Sequence, residues 1–413
     1  MKVFYILGIK CFYLLMLIAS LFNAKAKLWI SGRKNLLKEL GKEISSSDKI
    51  AWFHCASLGE FEQGRPVIEA FREQYKDYKI LLTFFSPSGY EIRKNYDKAD
   101  YVYYLPIDTT KNAKQFMDIV NPVVVFFVKY EFWQCFIGEI GKRKIPLYLV
   151  SGIFRKDHRF FKWYGGRARK ILKNFTHFFV QNSESKSLLS SINLENVVVA
   201  GDTRFDRVKT ISEAAKNLPL IERFKNGKTT LVAGSTWKPD EEIIVKYLNS
   251  TNYDFKLIIA PHEIHKENID RIERLFNQIS VLKYSEANES NIQEQNILLI
   301  DNIGLLSSLY RFADVAYIGG GFGKGIHNTL EAATFGLPVI FGPNYEKFQE
   351  AVDLKKLGGA FSISNQNDLN IVLDNLLENE QSISNAGIVS AKYVNDKKGA
   401  TSEIIKLINT RLF

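Results

Sequence analysis

The feature that most constrains the fold is an alternation of short apolar runs and longer amphipathic runs along most of the chain. Near-continuous apolar runs are typical of parallel strands covered on both faces, and the amphipathic runs predict the covering helices. The first set of predicted strands is 49–56, 79–84, 101–105, 123–128, 146–150, 177–180 and 197–200. Helices are predicted between them at 60–75, 110–120, 132–143, 162–173 and 184–191.

The pattern starts again after a polar stretch that carries Pro219 and Gly227. The second set of predicted strands is 229–233, 256–260, 297–300, 315–318, 338–341 and 360–363. A length of 413 residues suits two domains, each with its own core. The sequence therefore predicts an α/β protein with two doubly wound, Rossmann-like domains facing a cleft. The predicted boundaries are a first domain at 27–205, a linker at 206–228, a second domain at 229–395, and a C-terminal helix at 396–413 that packs toward the first domain.

The N-terminal segment is almost wholly apolar from Val3 to Phe22, and about 20 apolar residues are needed to span a bilayer as a helix. One interpretation is a cleaved signal peptide that ends near Ala24-Lys25-Ala26. The other is an uncleaved anchor at residues 1–26, favoured by the basic residues from Lys25 to Lys42, which would hold the following chain in the cytoplasm. A helix that lies on the membrane surface is a further alternative.

The net charge and the cysteine content restrict the possible partners of the protein and the cellular compartment in which it works. A net charge of +10 indicates an anionic partner, and nucleic acid, acidic lipid and phosphorylated small molecules all satisfy it. The three cysteines are few and widely spaced, which is typical of a reducing compartment. Arg155, Lys156 and Lys162 lie among aromatic residues, which suits an anionic membrane surface or a phosphorylated lipid. The apolar N-terminus favours lipid over nucleic acid, and a solvated helix face is the plainer alternative.

A glycine-rich segment at 318–342 follows a predicted strand, where ligands bind in sheets of this kind. It matches neither the dinucleotide fingerprint nor the Walker A loop, because no Ser or Thr follows Lys324. A helix is predicted to open near 326–327, with phosphate bound at its N-terminus beside Lys324, His327 and Asn328. Glu331 is then placed to accept hydrogen bonds from ribose hydroxyls. The alternative is a tight structural turn.

Two acidic residues also follow predicted strands. Glu60 falls in a first helical turn, where a carboxylate can act as a general base for an acceptor hydroxyl or merely favour the start of the helix. Glu131 is the second such carboxylate. His54 beside Cys55 resembles a nucleophile pair, but neighbours on a strand point to opposite faces, so no such pair is predicted.

No metal and no cofactor are predicted. The segment His262-Glu263-Ile264-His265 lacks one residue of the zinc motif HExxH, and no third ligand is apparent. The chain also contains no Asp-x-Asp, the pair by which many sugar-nucleotide transferases hold a divalent cation. Lysine, arginine and helix termini are expected to meet phosphate charge instead.

Taken together, these segments resemble the Kdo transferases, which add 3-deoxy-D-manno-oct-2-ulosonic acid (Kdo) to the lipid A precursor. The resemblance runs along nearly the whole chain, and the order of the motifs makes it specific. The matching segments are the apolar N-terminus with its basic flank, SLGE around Glu60, KYEFW around Glu131, GDTRFD at 201–206, AGS at 233–235 followed by two glutamates at 241–242, GGGFGKGIHNTLEA at 319–332 and GPNYEKFQEA at 342–351.

The resemblance implies a GT-B fold, CMP-Kdo as donor, lipid IVA (a phosphorylated, acylated glucosamine disaccharide) as acceptor, and inversion without a metal. It implies a bacterial inner-membrane protein with its catalytic domains on the cytoplasmic side. Glu60 would be the base and Glu131 a supporting acid. The implied donor contacts are Arg204, Ser235, Thr236, His262, Gly321, Lys324, His327, Asn328 and Glu331. The acceptor or membrane contacts expected are Ser57, Ser88, Arg155, Lys156 and Lys162.

The chain departs from the family pattern at three places. Pro261-His262-Glu263-Ile264 stands where Pro-Arg-His-Pro is usual, so an expected donor-binding arginine is absent. Arg204 replaces a usual lysine, and Lys129 and Gln134 replace the first glutamate and the proline of Glu-x-Glu-x-Trp-Pro. Other hypotheses are a different GT-B enzyme, such as a sugar-nucleotide epimerase or another lipid-linked sugar transferase, and a non-catalytic module that binds acidic lipid.

Overall fold

The computed structural model describes residues 2–276 and 279–412, and the chain divides into two compact units. The first unit is Met1–Arg207 with Lys398–Phe413, and the second is Val208–Lys397. Each unit is built on a parallel sheet of seven strands with helices on both faces. The predicted doubly wound α/β architecture is therefore confirmed in each unit.

The sheet of the first unit has the order β3-β2-β1-β4-β5-β6-β7. Every residue of β1 and β4 is buried, as near-continuous apolar runs predict. The strand order reverses between β1 and β4, which pair with each other. The strands are β1 (Ile50–Cys55), β2 (Lys79–Phe84), β3 (Tyr101–Tyr104), β4 (Val124–Val128), β5 (Leu147–Gly152), β6 (His177–Val180) and β7 (Val197–Val199).

The helices of the first half of the chain include one near each of the five predicted positions, together with several short helices that were not predicted. They are α1 (Lys2–Ala19), α2 (Ala24–Ser31), α3 (Leu36–Glu43), α4 (Leu58–Gln74), α5 (Pro87–Arg93), α6 (Thr110–Val120), α7 (Gln134–Lys142), α8 (Gly166–Leu172), α9 (Ser183–Ser190) and α10 (Arg204–Glu213).

The helix predicted at 162–173 is wrong in its first part. Two 3-10 turns, Arg159–Phe161 and Trp163–Gly165, precede α8. The guanidinium of Arg169 donates to the carbonyls of Phe160 and Lys162 at 2.7 and 2.8 Å, which holds these turns in place. The basic and aromatic residues of this segment therefore do not share one helix face.

Helix α1 packs on the first unit along one side only. The hydroxyl of Tyr5 donates to Asp108 at 2.6 Å, and the ring of Phe12 meets Trp29 edge-on at 5.6 Å. Residues on the other side are more than half exposed, namely Val3, Phe4, Leu7, Leu14, Leu15 and Ile18. Among residues 2–276 and 279–412, no helix is long and apolar enough to cross a membrane. The predicted membrane span is thus not confirmed.

The second unit has the strand order β10-β11-β9-β8-β12-β13-β14, which reverses between β8 and β12. Its short edge strand β10 was not predicted. The strands are β8 (Thr230–Thr236), β9 (Lys256–Pro261), β10 (Val281–Lys283), β11 (Ile297–Leu299), β12 (Val315–Ile318), β13 (Val339–Phe341) and β14 (Ala360–Ser362).

The remaining helices belong to the second unit, except the last. They are α11 (Pro219–Lys225), α12 (Lys238–Ser250), α13 (Lys266–Leu275), α14 (Leu306–Leu309), α15 (Leu330–Ala333), α16 (Gln349–Leu357), α17 (Gln366–Glu378), α18 (Glu380–Lys397) and α19 (Ala400–Leu412). Helix α11 and most of α10 fall within 206–228, where a linker was predicted. Ile404 and Ile408 of α19 are buried in the same core as Phe71 of α4, so the end of the chain completes the first unit.

Candidate functional site

Each sheet has one point where its strand order reverses, and ligands bind at the carboxyl ends of the strands that flank such a point. In the first unit these strands are β1 and β4, and Glu60 and Glu131 follow them. In the second unit they are β8 and β12, which are followed by 235–237 and by the glycine-rich loop at 319–328. The segments chosen from the sequence therefore lie at the two reversal points.

Glu60 lies in the first turn of α4 and is half-buried. The N-terminal cap of this helix is Ser57, whose hydroxyl donates to the Glu60 carboxylate instead of capping the backbone. Two predicted site residues thus meet. Ser88, which was predicted as another acceptor or membrane contact, is exposed at the start of α5, where its hydroxyl lies 2.7 Å from that of Ser86.

Glu131 is 8% exposed and bound to His54, which is fully buried in β1. His54 Nε2 lies 2.9 Å from Glu131 Oε2, and the indole N–H of Trp133 also donates to this oxygen. On its other side, His54 Nδ1 lies 3.1 Å from the carbonyl of Thr83 and 2.9 Å from the Thr83 hydroxyl. The contacts of His54 with Glu131 and with Thr83 were not predicted from the sequence. His54 and Thr83 are direct partners in the β1–β2 register.

Cys55 faces the opposite core from His54, as strand geometry predicts. Burial raises the pKa of the Cys55 thiol, and the nearby carboxylates of Glu60, Glu131 and Glu62 raise it further. A protonated thiol is a poor nucleophile. The same interactions place both Glu60 and Glu131 close to the end of β1.

A cavity of about 700 Å³ opens beside Glu131. Helix α1 forms one wall, and the segment after β5 forms another. Glu131 is the one acid among the lining residues, which also include two arginines. The lining residues are Tyr5, Ile9, Tyr130, Glu131, Phe132, Trp133, Arg155, His158, Arg159 and Phe160. Arg155 is therefore brought together with Glu131, whereas Lys156 and Lys162 do not line this cavity.

In the second unit, two glycines of the loop after β12 are required by close backbone contacts. A Cβ on Gly319 would lie 2.2 Å from the carbonyl oxygen of Ser235, and a Cβ on Gly321 would lie 2.6 Å from Gly342. The ends of β8, β12 and β13 thus touch through their backbones. Asp240 adds a link, because its carboxylate accepts from the backbone N–H groups of Gly320 and Trp237 at 2.9 Å.

The helix predicted to open near 326–327 is wrong. Helix α15 begins at Leu330 and has four residues. The Asn328 side chain accepts from the N–H of Leu330 at 3.1 Å and donates to Glu331 at 3.0 Å, which holds the preceding segment as a loop. Asn328 and Glu331 therefore meet as a pair, with Lys324 exposed on the loop before them.

Three aromatic rings stack beside this loop. The centroids of Trp237 and His262 are 4.8 Å apart, and those of His262 and His327 are 4.4 Å apart. The indole N–H of Trp237 donates to His327 Nε2 at 3.0 Å. Burial, with a further contribution from His262, lowers the pKa of His327 to about 4, so this ring is neutral at physiological pH. Trp237 was not singled out from the sequence.

The other predicted donor contacts are engaged within their own units. Ser235 adopts a left-handed conformation with φ of 54°, a strained state for a non-glycine residue. The hydroxyl of Thr236 donates to Glu241 at 3.0 Å. Burial raises the pKa of Glu241, although Arg271 lowers it. Arg204 lies in the first unit, where its guanidinium pairs with Asp202 at 2.8 Å.

The described part of the chain contains no cluster of three or more histidine, cysteine or acidic side chains that could hold a metal ion. His265, considered above as a ligand, caps α13 instead: its Nδ1 accepts from the N–H of Asn268 at 3.2 Å.

Comparisons with known proteins match most of the first unit to a family model and most of the chain to named relatives. Residues 31–207 match the family model described as 3-deoxy-D-manno-octulosonic-acid transferase (kdotransferase). The chain is 29% identical to the 3-deoxy-D-manno-octulosonic acid transferase of Aquifex aeolicus, over 80% of this chain and 87% of that protein. It is 28% identical to the Rickettsia felis enzyme of the same name, over 84% of this chain and 75% of that protein.

The fold is shared more widely. UDP-GlcNAc 2-epimerase from Neisseria meningitidis, solved with bound UDP-GlcNAc, matches with a TM-score of 0.61 over 88% of this chain and 99% of that chain. At 16% identity this likeness concerns the GT-B-like fold alone. The family model and the named relatives confirm the resemblance read from the sequence motifs: this chain is similar to the 3-deoxy-D-manno-octulosonic acid transferases over most of its length.

Proposed function

We propose that this protein transfers Kdo from CMP-Kdo to lipid IVA, with inversion at the anomeric carbon and without a metal ion. The observation that carries the proposal is the pair of acidic residues at the reversal point of the first unit, within the segment that matches the family model. Glu60 stands half-buried at a helix start, next to the Ser57 hydroxyl, and Glu131 lines the adjoining cavity.

In the proposed reaction Glu60 accepts the proton of the acceptor hydroxyl as the hydroxyl oxygen bonds to the anomeric carbon of Kdo. The bond from that carbon to the phosphate oxygen of CMP breaks at the same time, and CMP leaves with the bonding electrons. A carboxylate within hydrogen-bond reach of the hydroxyl contributes roughly 10²–10⁴-fold to such a step. Attack on the face opposite the leaving phosphate gives the inverted product.

The chemistry of the cavity in the first unit suits the acceptor. Lipid IVA combines phosphate groups with acyl chains. Arg155 and Arg159 can pair with phosphate through bidentate hydrogen bonds, and the aromatic and aliphatic residues beside them, including Ile9 of α1, offer apolar contacts. Ser88, Lys156 and Lys162 stay predicted acceptor or membrane contacts outside this cavity.

The donor is proposed to bind at the reversal point of the second unit. The stacked rings of Trp237, His262 and His327 offer a flat apolar surface, and the Asn328–Glu331 pair offers hydrogen bonds to sugar hydroxyls. Lys324 and the backbone N–H groups of the glycine-rich loop can meet phosphate charge. His262 occupies the place of the expected arginine, so a ring replaces a fixed cation there.

The direct test is to incubate the purified protein with CMP-Kdo and lipid IVA in excess EDTA and to weigh the products by mass spectrometry. We expect a lipid product heavier by one or more Kdo residues, together with free CMP. Transfer that requires added magnesium or zinc would contradict the metal-independent reaction. Binding of CMP without any transfer to lipid IVA would show that the acceptor is a different one.

We further propose that the protein works on the cytoplasmic face of a bacterial inner membrane, held there by α1. The outward apolar side of α1 is the support for this location. A chain that begins at Lys27 should leave the membrane fraction in cells, and it should act on detergent-dispersed acceptor more weakly than the full chain, because it lacks the wall of the cavity that α1 forms. A mature N-terminus at Lys27 in cells would instead identify residues 1–26 as a cleaved signal.

A further inference from the structure

A second cavity of the first unit, of about 610 Å³, has three basic residues and no acid among its described lining residues. It lies where α1, α2 and α3 meet the segment between β3 and α6. Tyr13 of α1 forms one wall, and the basic residues are Arg33, Lys34 and Lys38. This space, the α3 cavity, has no described lining residue in common with the cavity beside Glu131, so it is a separate place on the same unit.

Arg33 supplies a fixed positive charge at the α3 cavity. Its guanidinium donates to the main-chain carbonyls of Trp29 and Leu105 at 2.9 Å and of Phe85 at 2.7 Å. These acceptors are neutral, and no carboxylate in the described part of the chain pairs with Arg33. Burial lowers the pKa of Arg33 to about 9, which leaves it charged at neutral pH. Because a cation withdrawn from water without an anion is unfavourable, an anion bound beside Arg33 would offset this cost.

Lys34 and Lys38 add two exposed charges, for which no acid within the described residues is a partner. The two acids that are sequence neighbours of lining residues are engaged elsewhere. Glu39 pairs with Lys42 at 3.1 Å. Asp108 accepts from a tyrosine hydroxyl of α1 and from N–H groups at the start of α7. The positive charge of the α3 cavity is therefore left for a ligand to neutralise.

The start of α3 adds to the positive potential. Its N-terminal cap is Asn35, which adopts a left-handed conformation with φ of 60° and makes no side-chain hydrogen bond to cap the helix. Leu36 and Leu37, the first residues of α3, line the cavity. The N–H groups at a helix start carry a partial positive charge. The three cations and the helix start thus favour the same kind of ligand, one with negative charge.

The α3 cavity also adjoins exposed apolar surface on α1. Tyr13 lines the cavity, Leu14 is the next residue, and Leu17 lies one turn further along the helix. The side chains of Leu14 and Leu17 are 56% and 43% exposed. A ligand that suits both surfaces has an anionic head and an apolar tail.

We propose that the α3 cavity binds the phosphate headgroup of an anionic phospholipid of the bilayer, with its acyl chains against the apolar side of α1. Arginine holds phosphate oxygens through hydrogen bonds in a fixed plane, and the two lysines approach as flexible point charges. The ligand is a bilayer lipid and not the acceptor, because neither Glu60 nor Glu131 lines this cavity. The proposal rests on the proposed membrane location but not on the transfer reaction.

The direct test is calorimetry of the full-length protein in a neutral detergent with dihexanoylphosphatidylglycerol, a short-chain anionic phospholipid. We expect one lipid to bind per chain, and no comparable binding of dihexanoylphosphatidylcholine, whose headgroup has no net charge. Equal binding of the two lipids would overturn the proposal, since apolar contact alone would then explain it. Absence of binding of either lipid would overturn it as well.

Two matched double variants remove the same charge from different places. Lys34→Gln with Lys38→Gln should weaken binding of the anionic lipid roughly 20-fold, at about four- to fivefold for each lysine. Lys25→Gln with Lys27→Gln, at exposed positions of α2 outside the cavity, should bind the lipid as the wild type does. Equal weakening in both double variants would mean that diffuse surface charge attracts the lipid and that the cavity is not a site.

Two further measurements identify the source of the phosphate. Inorganic phosphate should displace the lipid only weakly, and full displacement at equal concentration would make the cavity a site for the free ion. Transfer to detergent-dispersed lipid IVA should be unchanged in the variant that lacks Lys34 and Lys38. Loss of transfer in step with lipid binding would assign the cavity to the acceptor. Absence of transfer in the wild type would refute the proposed function and leave the binding result to decide the lipid site.

Discussion

The two reversal points of this molecule differ in the kind of chemical group that forms them. In the first unit the site is a buried network of polar side chains, in which His54, Glu131, Trp133 and Thr83 are joined by direct hydrogen bonds. In the second unit it consists of backbone and rings, with glycines in contact and Trp237, His262 and His327 in a stack. The same topology thus brings side-chain hydrogen bonds together at one site and backbone and ring contacts together at the other.

This difference fits the task proposed for each unit. Deprotonation of an acceptor requires charges whose positions do not change during the reaction. Recognition of a nucleotide requires flat surfaces and close backbone approach, which rings and glycines provide. The two sites should therefore respond to different kinds of substitution.

The largest effect is expected for a change of charge in the first unit. Glu60→Gln keeps the size of the side chain but removes its basicity, so turnover should fall by roughly 10²–10⁴. Steady-state kinetics measures this, with CMP affinity and melting temperature as checks that should barely move. Glu73→Gln, an exposed position further along α4, is the control. A Glu60→Gln enzyme that retains more than about a tenth of its turnover would transfer the role of base to Glu131 or to water.

In the second unit a change of shape should matter more than a change of charge. Gly319→Ala places a Cβ 2.2 Å from the Ser235 carbonyl oxygen, and backbone atoms cannot move aside easily. We expect a loss of about 1–3 kcal/mol in the free energy of unfolding, together with weaker CMP binding by calorimetry. Gly323→Ala is the control, because its nearest neighbour would lie at an ordinary 3.5 Å. Equal behaviour of the two variants would contradict the role of backbone contact.

We expect a smaller effect on the pH dependence of stability, which should distinguish His327 from His265, another histidine of the second unit. Burial holds the pKa of His327 at about 4, below the ~6.5 of an exposed imidazole. Between these values the unfolded state binds more protons, so the contribution of His327 to stability is full above about 6.5 and is lost as the pH falls toward 4. In denaturant unfolding, His327→Gln should show a weaker pH dependence than the wild type. The control His265→Gln, at an exposed position, should keep the wild-type pH dependence, and identical profiles for all three proteins would argue against a neutral, half-buried His327.

The smallest effect concerns the thiols. Cys11 is exposed, whereas Cys55 and Cys135 are buried. Because burial and neighbouring carboxylates raise the pKa of Cys55, iodoacetamide should label Cys11 in the folded protein and leave Cys55 unmodified, as peptide mass spectrometry would show. Rapid labelling of Cys55 with loss of activity would revive this residue as a nucleophile beside Glu60.

The sequence predicts the strands well because a strand buried on both faces must be apolar along its whole length. The edge strand β10 escapes prediction because its three residues are only half-buried. The helix near 326–327 was predicted from glycines and a following apolar run, but the side chain of Asn328 holds that segment as a loop. The local pattern of glycines and apolar residues in the sequence does not predict such a side-chain contact.

The sequence predicts which segments lie at the reversal points, but it does not predict the contacts within them. Strand ends followed by glycines or acids point to the reversal points directly. The contact between His54 and Glu131 depends on which strands are neighbours, and the stack of Trp237 with His262 and His327 joins three separate loops. Both are long-range consequences of topology, which single-sequence patterns do not contain.

Helix α19 has a consequence for synthesis on the ribosome. The second unit is a continuous stretch, Val208–Lys397, whereas the first unit needs Ile404 and Ile408 to fill its core beside α4. A nascent chain emerges from its N-terminus, so the unit that is made first is the last to be completed. Until the final helix is released, part of the apolar surface of α4 stays uncovered, and this is the period in which a chaperone would have most to bind.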